Sequence, residues 1–357
     1  MSLLRVVVTR AELTKYLASK NILEALILTP DMAPLSRNIE DYPEGIIIPI
    51  DKPYRWTSAD VIRKIKYTAI RHFGKKNLKV GHAGTLDPLA TGVLLVCIGK
   101  ATKLAEELQS HDKEYVAGVT FGATTPSYDL EKEIDRFFPH EHITAESVSA
   151  VLPSFIGEQD QVAPLFSAKS VDGVRAYELA RKLYNANSRS ASDAPRDVPP
   201  ALTHPLAGGG MSSPAASAVG NDIDSAAESL LRVSRINITE LELMEYIGSG
   251  VASEDPRPVP AALTHPHCDT KVSQQSNASS RINVTDNSEL GLPRAVVRMA
   301  CSKGTYVRAF ARDLGEALGS GAHLDSLQRS RSGIFRVENA LTVEQAVKAL
   351  TITPGEQ

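Results

Sequence analysis

The sequence has few cysteines, few aromatic residues and no long apolar run. Its three cysteines, Cys97, Cys268 and Cys301, are far apart. An odd, dispersed set argues against a disulfide framework or a zinc ribbon, so we expect reduced thiols and a cytoplasmic protein. No stretch approaches the roughly 18 apolar residues of a membrane span, and the N-terminus lacks the pattern of a signal peptide. We therefore expect no association with a membrane.

Charge is distributed unevenly along the chain. The formal net charge is −3, but residues 185–292 carry seven basic and thirteen acidic side chains. Because that segment contributes −6, the rest of the chain has a net charge of +3. A mildly basic remainder is compatible with RNA binding and does not prove it.

The acidic segment also repeats itself. VPPALTHP at 198–205 returns as VPAALTHP at 259–266, and SRINIT at 234–239 returns as SRINVT at 280–285. The two offsets differ, which argues against a solenoid repeat. The segment is rich in Ala, Ser, Pro, Gly and Asp without apolar periodicity, a composition typical of chain that cannot bury a core.

These features predict a folded domain interrupted by surface loops. We expect low-complexity insertions at about 186–227 and 248–291, flanking one real strand at 230–246, and we expect both insertions to be dispensable for stability and activity. The folded domain should cover 45–337. Residues 1–44 form an unassigned extension, and 338–357 should form a C-terminal helix and tail.

Outside the insertions, helical and strand patterns alternate irregularly. The strand-like runs are EGIIIPIDKP, GVLLVCIG, KEYVAGVTFGAT, PRAVVRMACS and GIFRV. The helical patterns are TSADVIRKIKYTAIRHFG, AESVSAVL, YVRAFARDLGEAL and a closing helix opened by Thr342 and Gln345 as a capping box. This order predicts an α+β fold with a mixed, mostly antiparallel sheet flanked by helices.

KVGHAGTLDPLATGVL, residues 79–94, places one acidic side chain, Asp87, among three glycines and a proline. Glycine and proline at this density predict a loop with a defined backbone path, neither helix nor strand. Taken alone, an aspartate before a proline is more often a turn residue than a functional one, and an isolated His82 carries no more weight.

Together with four further segments, this loop resembles the TruB family, the tRNA pseudouridine-55 synthases, in which GHxGxLDPxAxG surrounds the catalytic aspartate. The matching blocks follow in order: DKPYRWTS (51–58), GHAGTLDPLATG (81–92), KEYVAGVTFGATTPSYD (113–129), FSAKSVDGVRAYELAR (166–181) and CSKGTYVRAFARDLGEALGSGAH (301–323). The resemblance implies the pseudouridine synthase fold and isomerisation of a T-loop uridine, at position 55 of tRNA, to pseudouridine.

The resemblance also implies catalytic roles for Asp87, Tyr306 and Arg308. Asp87 would be the nucleophile, since a carboxyl with a pKa near 3.9 is ionised at pH 7. Its target, uracil C6 or ribose C1′, is left open. Arg308 would pair with the aspartate, and Tyr306 would help to remove the C5 proton. Taken singly, Arg308 would be read as a surface arginine at a helix start.

Four further residues are implied to bind the substrate. Tyr115 would stack on the base after it is flipped out of the T-loop, although a plain strand tyrosine is the simpler interpretation of that position alone. His82 would occupy space and hydrogen bonds vacated within the T-loop. Leu327 would form an apolar wall of the pocket, and Arg329 would lie near phosphate.

Pseudouridylation adds no group and changes no oxidation state, so we expect neither a metal nor a cofactor. His265, His267 and Cys268 lie in the insertion, and we interpret that cluster as fortuitous. The expected partner is the T-arm of tRNA, bound by a monomer. Only twenty residues follow Val337, too few for the RNA-binding PUA domain that many relatives carry. Two alternatives stay open: a tRNA-folding chaperone with incidental catalysis, and an RNA-guided ribonucleoprotein enzyme.

Overall fold

The computed structural model describes residues 22, 24–32, 35–164, 170–171, 174–175, 233–250 and 282–351. The chain divides into two compact units, one of Met1–Gln159 with Arg235–Gln357 and one of Asp160–Ser234. No helix in these described ranges is long and apolar enough to cross a membrane.

Strands and helices alternate along the described chain. The strands are β1 (Leu26–Ile27), β2 (Ile46–Lys52), β3 (Val80–Ala83), β4 (Ala90–Ile98), β5 (Lys113–Phe121), β6 (Ala123–Thr124), β7 (Arg136–Phe137), β8 (Gly157–Val162), β9 (Ser170–Val171), β10 (Val174–Arg175), β11 (Val233–Ile247), β12 (Arg294–Cys301), β13 (Ala322–Ser332) and β14 (Phe335–Arg336). The α-helices are α1 (Ser58–Phe73), α2 (Ala105–Ser110), α3 (Ala145–Val151), α4 (Val307–Ala317) and α5 (Val343–Ala349).

Most strands belong to one sheet with the order β1-β2-β4-β13-β5-β12-β11-β8, to which β3 is added beside β4 and β14 beside β13. Among the pairs with described register, β1–β2 and β4–β13 are parallel and the others are antiparallel. The α+β prediction of a mixed, mostly antiparallel sheet with flanking helices is confirmed. Two short antiparallel pairs, β6–β7 and β9–β10, are separate from the large sheet.

The main hydrophobic core lies against one face of this sheet. Alternate residues of β5, from Tyr115 to Phe121, share a buried cluster with Phe310 and Leu314 of α4. A strand presents every second side chain to the same face, which explains the period-two pattern of this segment. Burial of each large apolar side chain contributes about 1.5–3 kcal/mol.

Helices α1 and α5 begin with capping boxes. Thr57 and Asp60 form a capping box at the start of α1, which ends at Gly74 in the left-handed conformation, with φ +64°. Thr342 and Gln345 form the capping box predicted for α5. Such caps satisfy amide groups that the first helical turn leaves without a carbonyl partner.

Two strands that pair with β4 differ from the sequence prediction. Residues 80–83, predicted as loop, form β3 and pair with β4, so the loop around Asp87 is confined to residues 84–89. Strand β13 has no counterpart in the prediction, yet it lies between β4 and β5. Its segment escaped prediction because several of its buried side chains are polar, among them His323, Gln328 and Arg329.

Part of the unassigned extension belongs to the sheet. Leu26 and Ile27 pair in parallel with Ile46 and Ile47, and the buried Leu28 follows them. The Nε2 atom of His72, on α1, is 3.0 Å from the carbonyl oxygen of Ser36. Described residues before position 45 therefore contribute to the folded domain.

The predicted insertions are described only in part. The strand between them is present as β11, whereas residues 186–227 lie outside the described residues, as does the part of the second insertion from 251 to 281. Residues 282–291 are described and contain a 3-10 helix at Ser288–Leu290. The second predicted loop therefore contains structured chain at its C-terminal end.

Candidate active site

Asp87 lies in the loop that joins β3 to β4. The amide of Leu86 donates to Ser58 Oγ (3.0 Å), at the start of α1, and Ser58 Oγ donates to the carbonyl of Leu86 (3.2 Å). The amide of Ala90 donates to the carbonyl of Asp87 (3.1 Å). The backbone on both sides of Asp87 is therefore fixed, while its side chain is 39% exposed.

Arg308, in the first turn of α4, pairs with this carboxylate. Its Nε donates to Asp87 Oδ2 (2.9 Å), and its Nη1 donates to the carbonyl of Ser127 (3.0 Å). The arginine side chain is only 6% exposed. Burial alone would lower the pKa of Arg308, but the carboxylates of Asp87 and Asp129 raise it above its ordinary value. A buried guanidinium that remains charged holds the adjacent carboxylate by both charge and hydrogen bond.

Asp129 is a second carboxylate near Arg308, with its Oδ2 3.7 Å from Nη1. Its Oδ1 accepts from Ser127 Oγ (2.6 Å) and from the amide of Glu131 (2.9 Å). Burial raises the pKa of Asp129, and the charge of Arg308 opposes that rise. The turn at 125–131 thus supplies both a carbonyl and a carboxylate to the same guanidinium.

Lys52, at the end of β2, is fully buried. Its Nζ donates to the carbonyls of Pro53 (3.0 Å), Trp56 (2.5 Å) and Pro88 (3.2 Å). Burial lowers the pKa of Lys52 to about 7, although the negative charge of Asp87 acts in the opposite direction. Lys52 therefore holds the residue that directly follows Asp87 and places a second cation near it.

Asp87 opens into a small pocket. Its wall includes the predicted Leu327, on β13, together with Arg308, Asp129 and Leu130. Leu327 is paired with Ala90 in β4 and with Ala117 in β5. The pocket therefore combines charged groups on one part of its wall with apolar side chains on another, as is usual for sites that bind a small planar group.

Comparison with known proteins identifies the family to which this chain is similar. Residues 71–192 match the family model "TruB family pseudouridylate synthase (N terminal domain)", and residues 308–354 match "tRNA pseudouridylate synthase B C-terminal domain". The tRNA pseudouridine synthase B of Phocaeicola vulgatus is 41% identical over 85% of this chain and 92% of its own length. The protein of the same name from Bacteroides fragilis is 40% identical over 84% and 92%.

The chain belongs to the TruB family.

Among solved structures, a Cbf5–Nop10–Gar1 complex is similar at 21% identity with a TM-score of 0.43. The match covers 87% of this chain and 54% of that one, so this chain spans about half the length of that structure's chain.

The TruB resemblance pointed to Tyr115 and Arg329, which the structure places opposite each other in β5 and β13. Burial raises the pKa of the Tyr115 hydroxyl, while the charge of Arg329 acts in the opposite direction. Arg329 is only 2% exposed, and its guanidinium donates to the carbonyls of Val93 (2.7 Å) and Gly84 (3.1 Å). The expected position of Arg329 near phosphate stays a prediction. In the structure its guanidinium holds the first residue of the Asp87 loop, Gly84, and β4 beyond the end of that loop.

The other two residues to which the TruB resemblance pointed are His82 and Tyr306. His82 is in β3, two residues before the loop, and burial followed by the charge of Arg329 lowers its pKa. Its buried Nδ1 has no hydrogen-bond partner among the described residues. Tyr306 occupies the N-cap position of α4, two residues before Arg308.

Two residues in the site were not assigned by the sequence. Lys52 and Asp129 both lie within the matching TruB blocks, at the second and at the last position of their blocks. Nothing in their local pattern distinguishes them from a surface lysine and a turn aspartate. Their proximity to Asp87 and Arg308 depends on how β2 and the 125–131 turn pack in three dimensions.

Lys52→Met should lower the free energy of unfolding by about 1–3 kcal/mol, because three carbonyls lose their buried donor. Urea denaturation of the two proteins measures this difference. Lys100→Met is the matched control, since Lys100 is half-exposed and pairs with Glu44 at the surface; its effect should be within about 0.5 kcal/mol.

The difference between wild type and Lys52→Met should also depend on pH. The folded pKa of Lys52, about 7, lies below its ordinary value of 10.5. The unfolded chain therefore binds more protons between these values, and wild-type stability should rise relative to Lys52→Met as the pH increases from 7 towards 10. A stability difference that stays constant or shrinks over this pH range would contradict a lowered pKa for Lys52.

Proposed function

We propose that this chain isomerises a T-loop uridine of tRNA, at position 55, to pseudouridine, with Asp87 as the nucleophile. The observation that carries the proposal is the half-exposed Asp87 carboxylate held 2.9 Å from a buried arginine at the mouth of a pocket. TruB membership and the names of the relatives support the reaction class.

The reaction breaks the N1–C1′ bond, rotates the uracil and joins C5 to C1′, while N1 gains a proton and C5 loses one. The atoms balance without any external group, and no oxidation or reduction occurs. A carboxylate can form a transient covalent bond with uracil C6 or with ribose C1′ and then leave. Both routes need an ionised, correctly oriented Asp87.

Arg308 would hold and orient that carboxylate. It donates to Asp87 through Nε and to the carbonyl of Ser127 through Nη1. The guanidinium is therefore fixed by protein groups as well as by the carboxylate. A preorganised charge of this kind stabilises the reacting carboxylate without reorganisation during the reaction.

Tyr115 is the aromatic side chain proposed to receive the flipped base. Its ring belongs to the buried cluster on one face of β5, and its backbone is paired with that of Arg329 in β13. Flipping a base out of a stacked loop costs a few kcal/mol, which stacking on an aromatic ring offsets in part. Leu327 would form an apolar boundary of the pocket beside Asp87.

A basic groove elsewhere on the large unit fits the backbone of tRNA. Four lysines, at positions 75, 79, 100 and 103, line it together with Glu40 and Tyr42. Lys75 and Lys100 pair with Glu40 and Glu44, respectively. Lysines clustered in this way contribute sequence-independent, salt-sensitive contacts to phosphate. We further infer a monomeric, cytoplasmic enzyme that uses no metal or cofactor.

Asp87→Asn should abolish turnover while tRNA binding survives, because the side chain keeps its shape and loses the negative charge. Release of tritium from C5-labelled tRNA by the purified protein measures turnover, and filter binding measures affinity. We expect a rate loss of at least about 10³-fold. Retention of more than a few per cent of wild-type turnover would exclude Asp87 as the nucleophile.

Tyr115→Phe and Tyr115→Ala should differ. The phenylalanine variant retains the stacking surface and should keep part of the activity, whereas the alanine variant should lose on the order of 1–3 kcal/mol of base stacking in kcat/KM. Circular dichroism of both variants controls for folding. Equal kinetics for the two would show that the ring does not receive the base.

A further inference from the structure

The second insertion leaves and re-enters the sheet at one point. Strand β11 ends at Ile247, which is paired with Arg294 at the start of β12. Beyond this pair, the amide of Gly250 donates to the carbonyl of Gly291 (2.9 Å). Both glycines have positive φ, +78° and +58°, a conformation that favours glycine. The ends of the excursion are therefore already in contact, independently of the residues between them.

The returning part of the excursion, residues 282–290, contacts the loop after β2. Arg55 Nη2 donates to the carbonyl of Ile282 (2.7 Å). The amide of Arg55 in turn donates to the carbonyl of Pro88 (3.0 Å). Arg55 has a φ of +64°, which a non-glycine residue rarely adopts and which contacts such as these must maintain. Ile282 is thus linked through one residue to the backbone beside Asp87.

The same segment also contacts the opposite wall of the pocket. The amide of Thr285 donates to the carbonyl of Leu130 (2.8 Å). Leu130 lines the pocket and directly follows Asp129, one of the two carboxylates near Arg308. Within four residues, the chain therefore bonds to the backbone on the Pro88 side and on the Asp129 side of the site.

The segment has local structure of its own. Asp286 Oδ1 accepts from the amide of Ser288 (3.0 Å), and the following 3-10 helix ends at Gly291 in the left-handed conformation. Its sequence is the second copy of the duplicated motif, whose first copy lies in β11 with Ile236 and Ile238 buried. The copy at 280–285 has no such strand pairing in its described part and instead contacts the active site.

We propose that residues 282–290 form a positioning strap for the active site, a role that rests on the proposed function. The strap connects the loop at 53–55 to the turn at 125–131 and so limits how far Asp87, Arg308 and Asp129 can separate. Arg55 and the strap are positioning residues, because their described contacts are with backbone groups of the site. Displacement of a catalytic group by about 1 Å can cost about 10²-fold in rate. The expectation that the whole second insertion is dispensable is revised accordingly.

Two deletions separate the strap from the rest of the insertion. In the first, residues 251–281 are replaced by a flexible Gly/Ser linker of about ten residues, which retains the strap. In the second, Gly250 is joined directly to Gly291, which removes the strap together with the rest of the insertion. Since the ends already touch, both proteins should unfold within a few degrees of wild type.

The first deletion should keep the single-turnover rate on C5-tritiated tRNA within about threefold of wild type, and the second should lower it by about 10–100-fold. The dissociation constant for tRNA should change by less than about threefold in both. Arg55→Ala should reproduce part of the rate loss, whereas Arg235→Ala, at an exposed pair with Glu158, should not. A wild-type rate in the second deletion would overturn the proposal, as would equal losses in both deletions.

If the proposed function is wrong, wild type itself releases no tritium, a result that differs from every outcome of the deletion test. The strap is then tested by hydrogen exchange. Amides at 84–89 and 127–131 should exchange at least about tenfold faster in the second deletion than in the first, and equal protection in both would reject the strap.

Discussion

The ion pair between Arg308 and Asp87 is the interaction on which the rest of the site depends. A guanidinium that is 6% exposed is costly to bury unless carboxylates and carbonyls surround it. Three segments far apart in the chain provide that environment: the loop after β3 provides Asp87, the 125–131 turn provides Ser127 and Asp129, and α4 provides the arginine. The order of strands around β13 and β5 is what brings these segments together.

Buried cations also support the loop that carries the proposed nucleophile. Arg329 binds the carbonyl of Gly84, the first residue of the loop, and that of Val93 in β4, and Lys52 binds the carbonyl of Pro88. Each of these side chains, when protonated, also adds positive potential near Asp87. Backbone support and electrostatic support are thus provided by the same side chains, which helps to explain why long cationic residues are buried here.

The sequence predicted the parts of the fold that depend on local chemistry. The cap of α5, the strand pattern of β5 and the strand between the insertions follow from nearest neighbours along the chain. The strand prediction missed β13, because a strand that carries the buried polar side chains of Arg329 and His323 has no apolar pattern. The sequence could not find Asp129 or Lys52 as site residues, since only packing distinguishes them from ordinary turn and surface residues.

The duplicated motif illustrates the same limit. SRINIT lies within β11, whereas the described part of SRINVT bonds to active-site loops through Ile282 and Thr285. Nearly identical hexapeptides therefore have different roles, because tertiary partners override local preference in short extended segments. Composition predicts that such chain builds no core of its own, but it does not predict where that chain rests on another core.

The single-turnover rate of Arg308→Lys on C5-tritiated tRNA tests whether the reaction depends on the fixed geometry of the Arg308–Asp87 ion pair. Lysine keeps the positive charge but cannot bond Asp87 and the Ser127 carbonyl at once with a fixed fork of donors. We expect a rate loss of about 10²-fold or more, with the dissociation constant for tRNA within about threefold of wild type. A rate within threefold of wild type would contradict it, because a diffuse positive charge would then suffice and the fixed geometry of the ion pair would not matter.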